Sequence, residues 1–123
     1  MPNNLEFTTK AIHRPVNSKL SPVHVEEETM IIDQTGEGAE IHYQEIGTSE
    51  ETISLSSDIA SKGTIVIKNV DDTNYVDYGF STGVYGGRIY PGKRNILTVV
   101  PGVTFYALAN TAAVKIQVHE YEL

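Results

Sequence analysis

The side chains able to do chemistry are few and dispersed. The histidines are His13, His24, His42 and His119, and the chain has no cysteine. Disulfides, thiolate zinc sites and cysteine nucleophiles are thereby excluded. A cupin-like metal centre needs two histidines close together in one strand, and neither His-x-His nor His-x-x-x-His occurs. The four read instead as solvent-facing or locally hydrogen-bonded groups. Asp71, Asp72, Asn74 and Asp77 could gather oxygens around a calcium ion, but their spacing is not that of an EF-hand loop. Asp and Asn so placed cap their own backbone in a hairpin turn. None of Ser49, Ser54, Ser56, Ser57, Ser61 and Ser81 stands in Gly-x-Ser-x-Gly. Tyr85-Gly86-Gly87-Arg88 is too short to cradle a phosphate. Two acids can meet from any pair of strands, so a paired-carboxylate hydrolase has no distinctive signature to look for. No residue is singled out as catalytic, as a cofactor contact or as a metal ligand, and a paired-carboxylate hydrolase stays open as a weak alternative.

Aromatic residues offer a different chemistry. All seven tyrosines follow residue 42, and Tyr75, Tyr78, Tyr85 and Tyr90 fall within sixteen residues. Aromatic faces on a β-sandwich stack on sugars, which makes Tyr75, Tyr85 and Tyr90 candidate surface aromatics of a carbohydrate-binding module. The absence of Trp counts against that use. Tyrosines at this density also build sandwich cores and oligomer interfaces.

The elements that must position these groups are strands. Candidates are Thr29 to Asp33, Ala39 to Ile46, Thr52 to Ser56, Thr64 to Val70, Tyr75 to Phe80, Arg88 to Tyr90, Asn95 to Val100, Thr104 to Ala109 and Ala113 to Tyr121. Period-two alternation sets Ala39, Ile41 and Tyr43 against Glu40, His42 and Gln44, and Val114, Ile116 and Val118 against Lys115, Gln117 and His119. The apolar member of each set is expected to be buried. No stretch carries a helical stripe, and Gly, Thr, Val, Ile and Tyr dominate. Pro91-Gly92 and Pro101-Gly102 suit type II turns, because proline fixes the first central residue and glycine accepts positive φ at the second. The fold class is therefore all-β, an antiparallel β-sandwich with a jelly roll as the expected topology.

Residues 1–25 read differently. Pro2, Pro15 and Pro22 interrupt regular structure, and Leu5, Phe7, Ile12, Val16 and Leu20 follow no sustained period. This stretch is expected to be an extended N-terminal arm with at most a short edge strand at Leu5 to Ile12, followed by a sandwich domain over 26–123. Its apolar residues Leu5, Phe7, Ile12 and Val16, with Arg14, are candidate partner contacts.

The formal net charge of −7 is local: residues 21–58 carry ten acids and neither Lys nor Arg. Glu26, Glu27 and Glu28 head that segment as a candidate partner-facing patch. The charge disfavours nucleic-acid binding. The apolar runs are too short to span a bilayer, and the N-terminus lacks the basic start and apolar stretch of a secretory signal. A protein made in a cytoplasm, with no nucleic-acid or membrane partner, is expected.

Several strand endings and turns bear a likeness to a known group: Gly63-Thr-Ile-Val-Ile-Lys-Asn-Val, Asn74-Tyr-Val-Asp-Tyr-Gly, Tyr90-Pro-Gly, Asn95-Ile-Leu-Thr-Val-Val-Pro-Gly and Phe105-Tyr-Ala-Leu-Ala-Asn-Thr-Ala-Ala-Val-Lys-Ile-Gln-Val. The second half of the chain resembles small β-sandwich virion proteins of tailed bacteriophages, particularly capsid decoration (cement) proteins. The resemblance implies a non-enzymatic virion protein at the capsid surface, made in the host cytoplasm, bound to the major capsid protein and self-associated as a homotrimer. It also implies an arm that reaches neighbouring subunits. A tail, neck or fibre component is the alternative placement.

Overall fold

The computed structural model describes residues 3–13, 24–34, 39–56 and 62–122. Among them are ten strands, no helix, and hence no helix long and apolar enough to cross a membrane. They divide into two compact units, Met1–Thr35 and Gly36–Leu123.

The first unit is a two-stranded antiparallel ribbon. Strand β1 (Asn3–His13) pairs with β2 (His24–Gln34) without a slip from Asn3↔Gln34 to His13↔His24. The register sets Leu5 opposite Ile32, Phe7 opposite Met30, Thr9 opposite Glu28 and Ala11 opposite Glu26, all on one face of the ribbon. On the other face lie Glu6–Ile31, Thr8–Thr29, Lys10–Glu27 and Ile12–Val25. The Thr8 and Thr29 hydroxyls are 3.2 Å apart, and Lys10 Nζ is 3.8 Å from Glu27. The expected extended arm is thus half of a hairpin. A boundary at residue 25 falls inside β2, and the strand foreseen at Thr29 to Asp33 belongs to the ribbon and not to the sandwich. The period was hidden because Leu5 and Phe7 lie on one face and Ile12 on the other. Arg14 and Val16 lie outside the described residues, as do Pro15 and Pro22.

The second unit is an antiparallel β-sandwich, as expected. Its strands are β3 (Ala39–Ile46), β4 (Glu51–Thr52), β5 (Lys62–Asn69), β6 (Val76–Gly79), β7 (Gly87–Ile89), β8 (Arg94–Thr98), β9 (Tyr106–Ala109) and β10 (Val114–Glu122). One sheet has the order β3-β10-β5-β8 and the other β4-β9-β6-β7. The pairs β3–β10, β4–β9, β5–β8 and β6–β7 are nested, first with last and inward to the middle. Adjacent pairs are joined by β10–β5 in one sheet and β9–β6 in the other.

Both sheets contribute to one core. Ile46, Ile65, Ile67, Ile116 and Val118 from the first sheet meet Val76, Tyr78, Ile89, Ala107 and Ala109 from the second, with Ile53 and the fully buried Phe105 completing it. Phe105 lies 6.3 Å from the Tyr78 ring and 5.2 Å from Phe80, centroid to centroid. The proline-glycine turns form as the sequence predicts: Lys93 N donates to Tyr90 O and Val103 N to Val100 O, with φ of 74° at Gly92 and 83° at Gly102. The buried Asn69 ties its neighbourhood together, donating from Nδ2 to Asn74 O and Ile89 O while Oδ1 accepts from Asp71 N.

Strand β3 departs from the expected facing. Ile46 is fully buried, and alternation from it turns Gln44, His42 and Glu40 toward the inside, leaving Tyr43 and Ile41 58% and 57% exposed. The apolar set faces out because Ile46 holds the register, and a slip of one residue would eject it from the core. Strand β4 is also shorter than foreseen, two residues in place of five, because side chains of β3 and β10 take over the backbone groups of 54–56.

Truncating Phe105 to Ala removes the largest fully buried side chain. It is expected to destabilise the sandwich by about 3–5 kcal/mol in urea unfolding, and a loss under about 1 kcal/mol would place the core elsewhere.

Candidate functional site

Among the described residues, three places on the sandwich carry enough chemistry to be sites. The first is inside, at one end of β3 and β10. Glu120 follows Val114, Ile116 and Val118 on the core face of β10 and is fully buried. Both its carboxyl oxygens accept from Ser56 N, at 2.9 and 3.0 Å. His42 Nδ1 stands 3.2 Å from Glu120 Oε2 without making a hydrogen bond to it. His42 Nε2 is 2.7 Å from Ser54 O, a pure acceptor, and must donate to it. Gln44 completes the series: its Oε1 accepts from Ser54 N at 2.7 Å, and its Nε2 donates to Thr52 O and Glu51 Oε1. A His–carboxylate pair next to serines resembles part of a hydrolase triad, but here Nε2 is spent on a backbone carbonyl and faces no nucleophile. The arrangement straps residues 52–56 across the end of the sandwich.

The second place is the outer face of the β4-β9-β6-β7 sheet. The β6–β7 register sets Asp77 opposite Arg88. Arg88 Nε donates to Asp77 Oδ1 at 2.6 Å and Nη2 to Oδ2 at 3.0 Å, a two-pronged pair. The guanidinium lies 3.8 Å over the Tyr75 ring and 6.0 Å from that of Tyr90, and the two rings meet edge to face at 6.1 Å. Asp77 above all, then Tyr90, raises the Arg88 pKa further above the working range. Asp77, Tyr85, Gly86, Gly87, Arg88 and Tyr90 line an open pocket of about 300 Å³. The Tyr85 hydroxyl donates to Glu50, whose Oε1 also accepts from Gly83 N at 2.7 Å. The structure therefore brings Tyr75, Tyr85 and Tyr90 together as neighbours of one ion pair.

The third place is the outer face of the β3-β10-β5-β8 sheet. Ile41, His119, Val66 and Ile96 form one cross-strand row, and Tyr43, Gln117, Lys68 and Arg94 the next. Val66 is buried yet stands apart from the core cluster. Gln117 Nε2 donates to the Tyr43 hydroxyl at 3.0 Å, and Lys115 Nζ lies 5.5 Å from the Tyr43 ring. The His119 pKa is lowered, first by burial and then by the charges of Arg94 and Lys68. An apolar row thus lies beside a row that carries two cations.

Of the remaining expected site residues, Glu27 is exposed and sits 3.8 Å from Lys10 within the ribbon, a pairing worth little in water. For Leu5, Ile12, Glu26 and Glu28 only the strand register is described; Phe7 is half-buried. The acidic group at Asp71 resolves into a turn, with Asp71 Oδ2 accepting from Asn74 N at 2.6 Å and Thr73 N at 2.9 Å, which, in that order, lower the Asp71 pKa. Among the described residues no three His, Asp or Glu side chains are placed to hold a metal ion. Sequence reading missed Arg88, Lys68, Arg94, Ile41 and Tyr43 as site residues. Pairing Asp77 with Arg88 across a hairpin was the one available signal for the first; the others needed the sheet order.

No family model matches the sequence, and no curated protein or solved structure is significantly similar to it.

Two expectations follow. Glu120→Leu strands the Ser56 N–H and is expected to cost about 1–3 kcal/mol of stability in urea unfolding, with Glu120→Gln, which keeps an acceptor, losing less; a Leu variant as stable as the parent would mean the strap is dispensable. The Glu50–Tyr85 link has two titration limits. Donation by Tyr85, then by Gly83 N, holds Glu50 below its ordinary 4.5, so its contribution is full above that value and fades as pH falls through the folded pKa. The bond to Glu50 raises the Tyr85 phenol above its ordinary 10.0, so that contribution is full below 10.0 and fades as pH rises through the folded pKa. An NMR titration of the Tyr85 ring is expected to show the link intact between these limits, and free-tyrosine behaviour throughout would contradict it.

Proposed function

We propose that this chain is a non-enzymatic structural protein of a bacteriophage virion that decorates and stabilises the capsid, with the β1–β2 ribbon as its bridging element. The observation that carries this reading is the match between the ribbon and the outer face of the β3-β10-β5-β8 sheet. One ribbon face places the pairs Leu5–Ile32 and Phe7–Met30 beside Thr9–Glu28 and Ala11–Glu26. The sheet places the row with Ile41, Val66 and Ile96 beside the row with Lys68 and Arg94. Apolar therefore meets apolar where acidic meets basic. A lone two-stranded hairpin is marginally stable in water, which favours a ribbon that finishes folding on another surface.

In this reading the ribbon of one copy lies on the outer sheet face of the next, giving a homotrimer that seats on the major capsid protein. Repetition by symmetry makes modest contacts strong. The nested strand pairing, rolled into two sheets, supports a jelly-roll topology for the sandwich. Phage origin, capsid placement and the number three rest on the resemblance in the second half of the chain, and self-association on this complementarity.

Solution mass tests the self-association. The full chain is expected to sediment at three times the chain mass, and both a Lys68→Glu, Arg94→Glu double variant and a chain starting at Gly36 are expected to sediment as folded monomers. A full chain monomeric at about 100 µM, well above the Kd of a standard-sized interface, would overturn it, as would a trimer indifferent to both changes.

A further inference from the structure

The geometry points to a binding site for a neutral saccharide in the pocket between Tyr85 and Tyr90, on the sheet opposite the proposed docking face. Sugar recognition needs an aromatic plane for the C–H face of the ring and planar polar groups that reach neighbouring hydroxyls in pairs. Both are present. Tyr90 is 54% exposed beside the ion pair, and Asp77 and Arg88 lie side by side, held by two hydrogen bonds.

The polar inventory suits vicinal hydroxyls. Arg88 has five N–H donors, of which two go to Asp77 and another interacts with Tyr90, so part of the fork is left for ligand oxygens. Each Asp77 oxygen keeps a lone pair for a hydroxyl donor. Tyr85 has committed its proton to Glu50, so its hydroxyl is held in place at the pocket's edge and does not act as a donor to a ligand. Stacking of the guanidinium on Tyr75 at 3.8 Å fixes the plane in which these groups are offered.

Charge selects the class. The cation is matched by its own carboxylate, and Glu50 stands behind Tyr85, so the pocket presents no uncompensated positive charge to an anion. Glycines keep it open. A Cβ at Gly86 would meet nothing within 4 Å, so no side chain fills the rim, while one at Gly87 would strike the Tyr78 ring, which holds β7 close against the core.

The test is an NMR titration of the isotope-labelled full chain with maltohexaose, cellohexaose, N-acetylchitohexaose and, as an acidic comparison, sialyllactose. At least one neutral hexasaccharide is expected to shift the amides of Asp77 and of Tyr85 to Tyr90, while sialyllactose does not. Tyr90→Ala and Arg88→Lys are each expected to weaken binding by about tenfold, the first through lost stacking and the second through the lost planar fork. Since Arg88→Lys can disturb the sheet edge, its fold is checked in the same spectrum, and the exposed Tyr90→Ala stands as the independent variant. The inference is overturned by any one of three results: no shift with any neutral hexasaccharide at about 10 mM, a range in which weak millimolar binding registers; shifts away from this pocket; or equal binding by Tyr90→Ala.

Discussion

The register of β3 is the constraint on which the rest of the sandwich turns. Ile46 belongs to the core, and because strand side chains alternate strictly, its burial dictates the direction of every residue back to Ala39. Gln44 and His42 are carried inward, where no apolar core awaits them. Gln44 and the Nε2 of His42 bond there to the backbone of residues 52–54, and Glu120 on the neighbouring strand does the same for Ser56, while His42 Nδ1 has no hydrogen-bond partner. Buried polar groups are costly only when unpartnered; here they substitute for the ladder that a longer β4 would have provided.

The outward consequence matters more for function. The same alternation delivers Ile41 and Tyr43 to the outer face, where the pairing of β10, β5 and β8 adds Val66 and Ile96 and, one row on, Lys68 and Arg94. A sheet face with buried Val66 outside the core and two exposed β3 side chains has more apolar character than a solvated face needs. The ribbon consists of two eleven-residue strands paired along their whole length.

Much of the sandwich is legible in the amino-acid sequence. Alternation in Val114 to Val118 places that strand correctly, and both proline-glycine pairs form the turns their φ preferences require. Facing is misread at β3, because local alternation specifies two sets of residues but not which set is inside; a distant contact, Ile46 against the core, decides it. The hairpin of β1 and β2 is hidden for a related reason. Its strands are joined across residues 14–23, and apolar residues on both faces erase the period that marks a half-buried strand. The tyrosines can be nominated by density along the chain, whereas Arg88 becomes part of their cluster only through the pairing of β6 with β7.

Assembly through the ribbon and the outer sheet face is decided by locating the protein in an intact particle with electron cryo-microscopy. Density for this sandwich is expected in trimeric groups on the outer capsid lattice, with each ribbon lying on the β3-β10-β5-β8 face of the adjacent copy. Particles that carry the protein only at the tail or neck, or sandwiches whose outer sheet face is bare while the ribbon is engaged elsewhere, would contradict it.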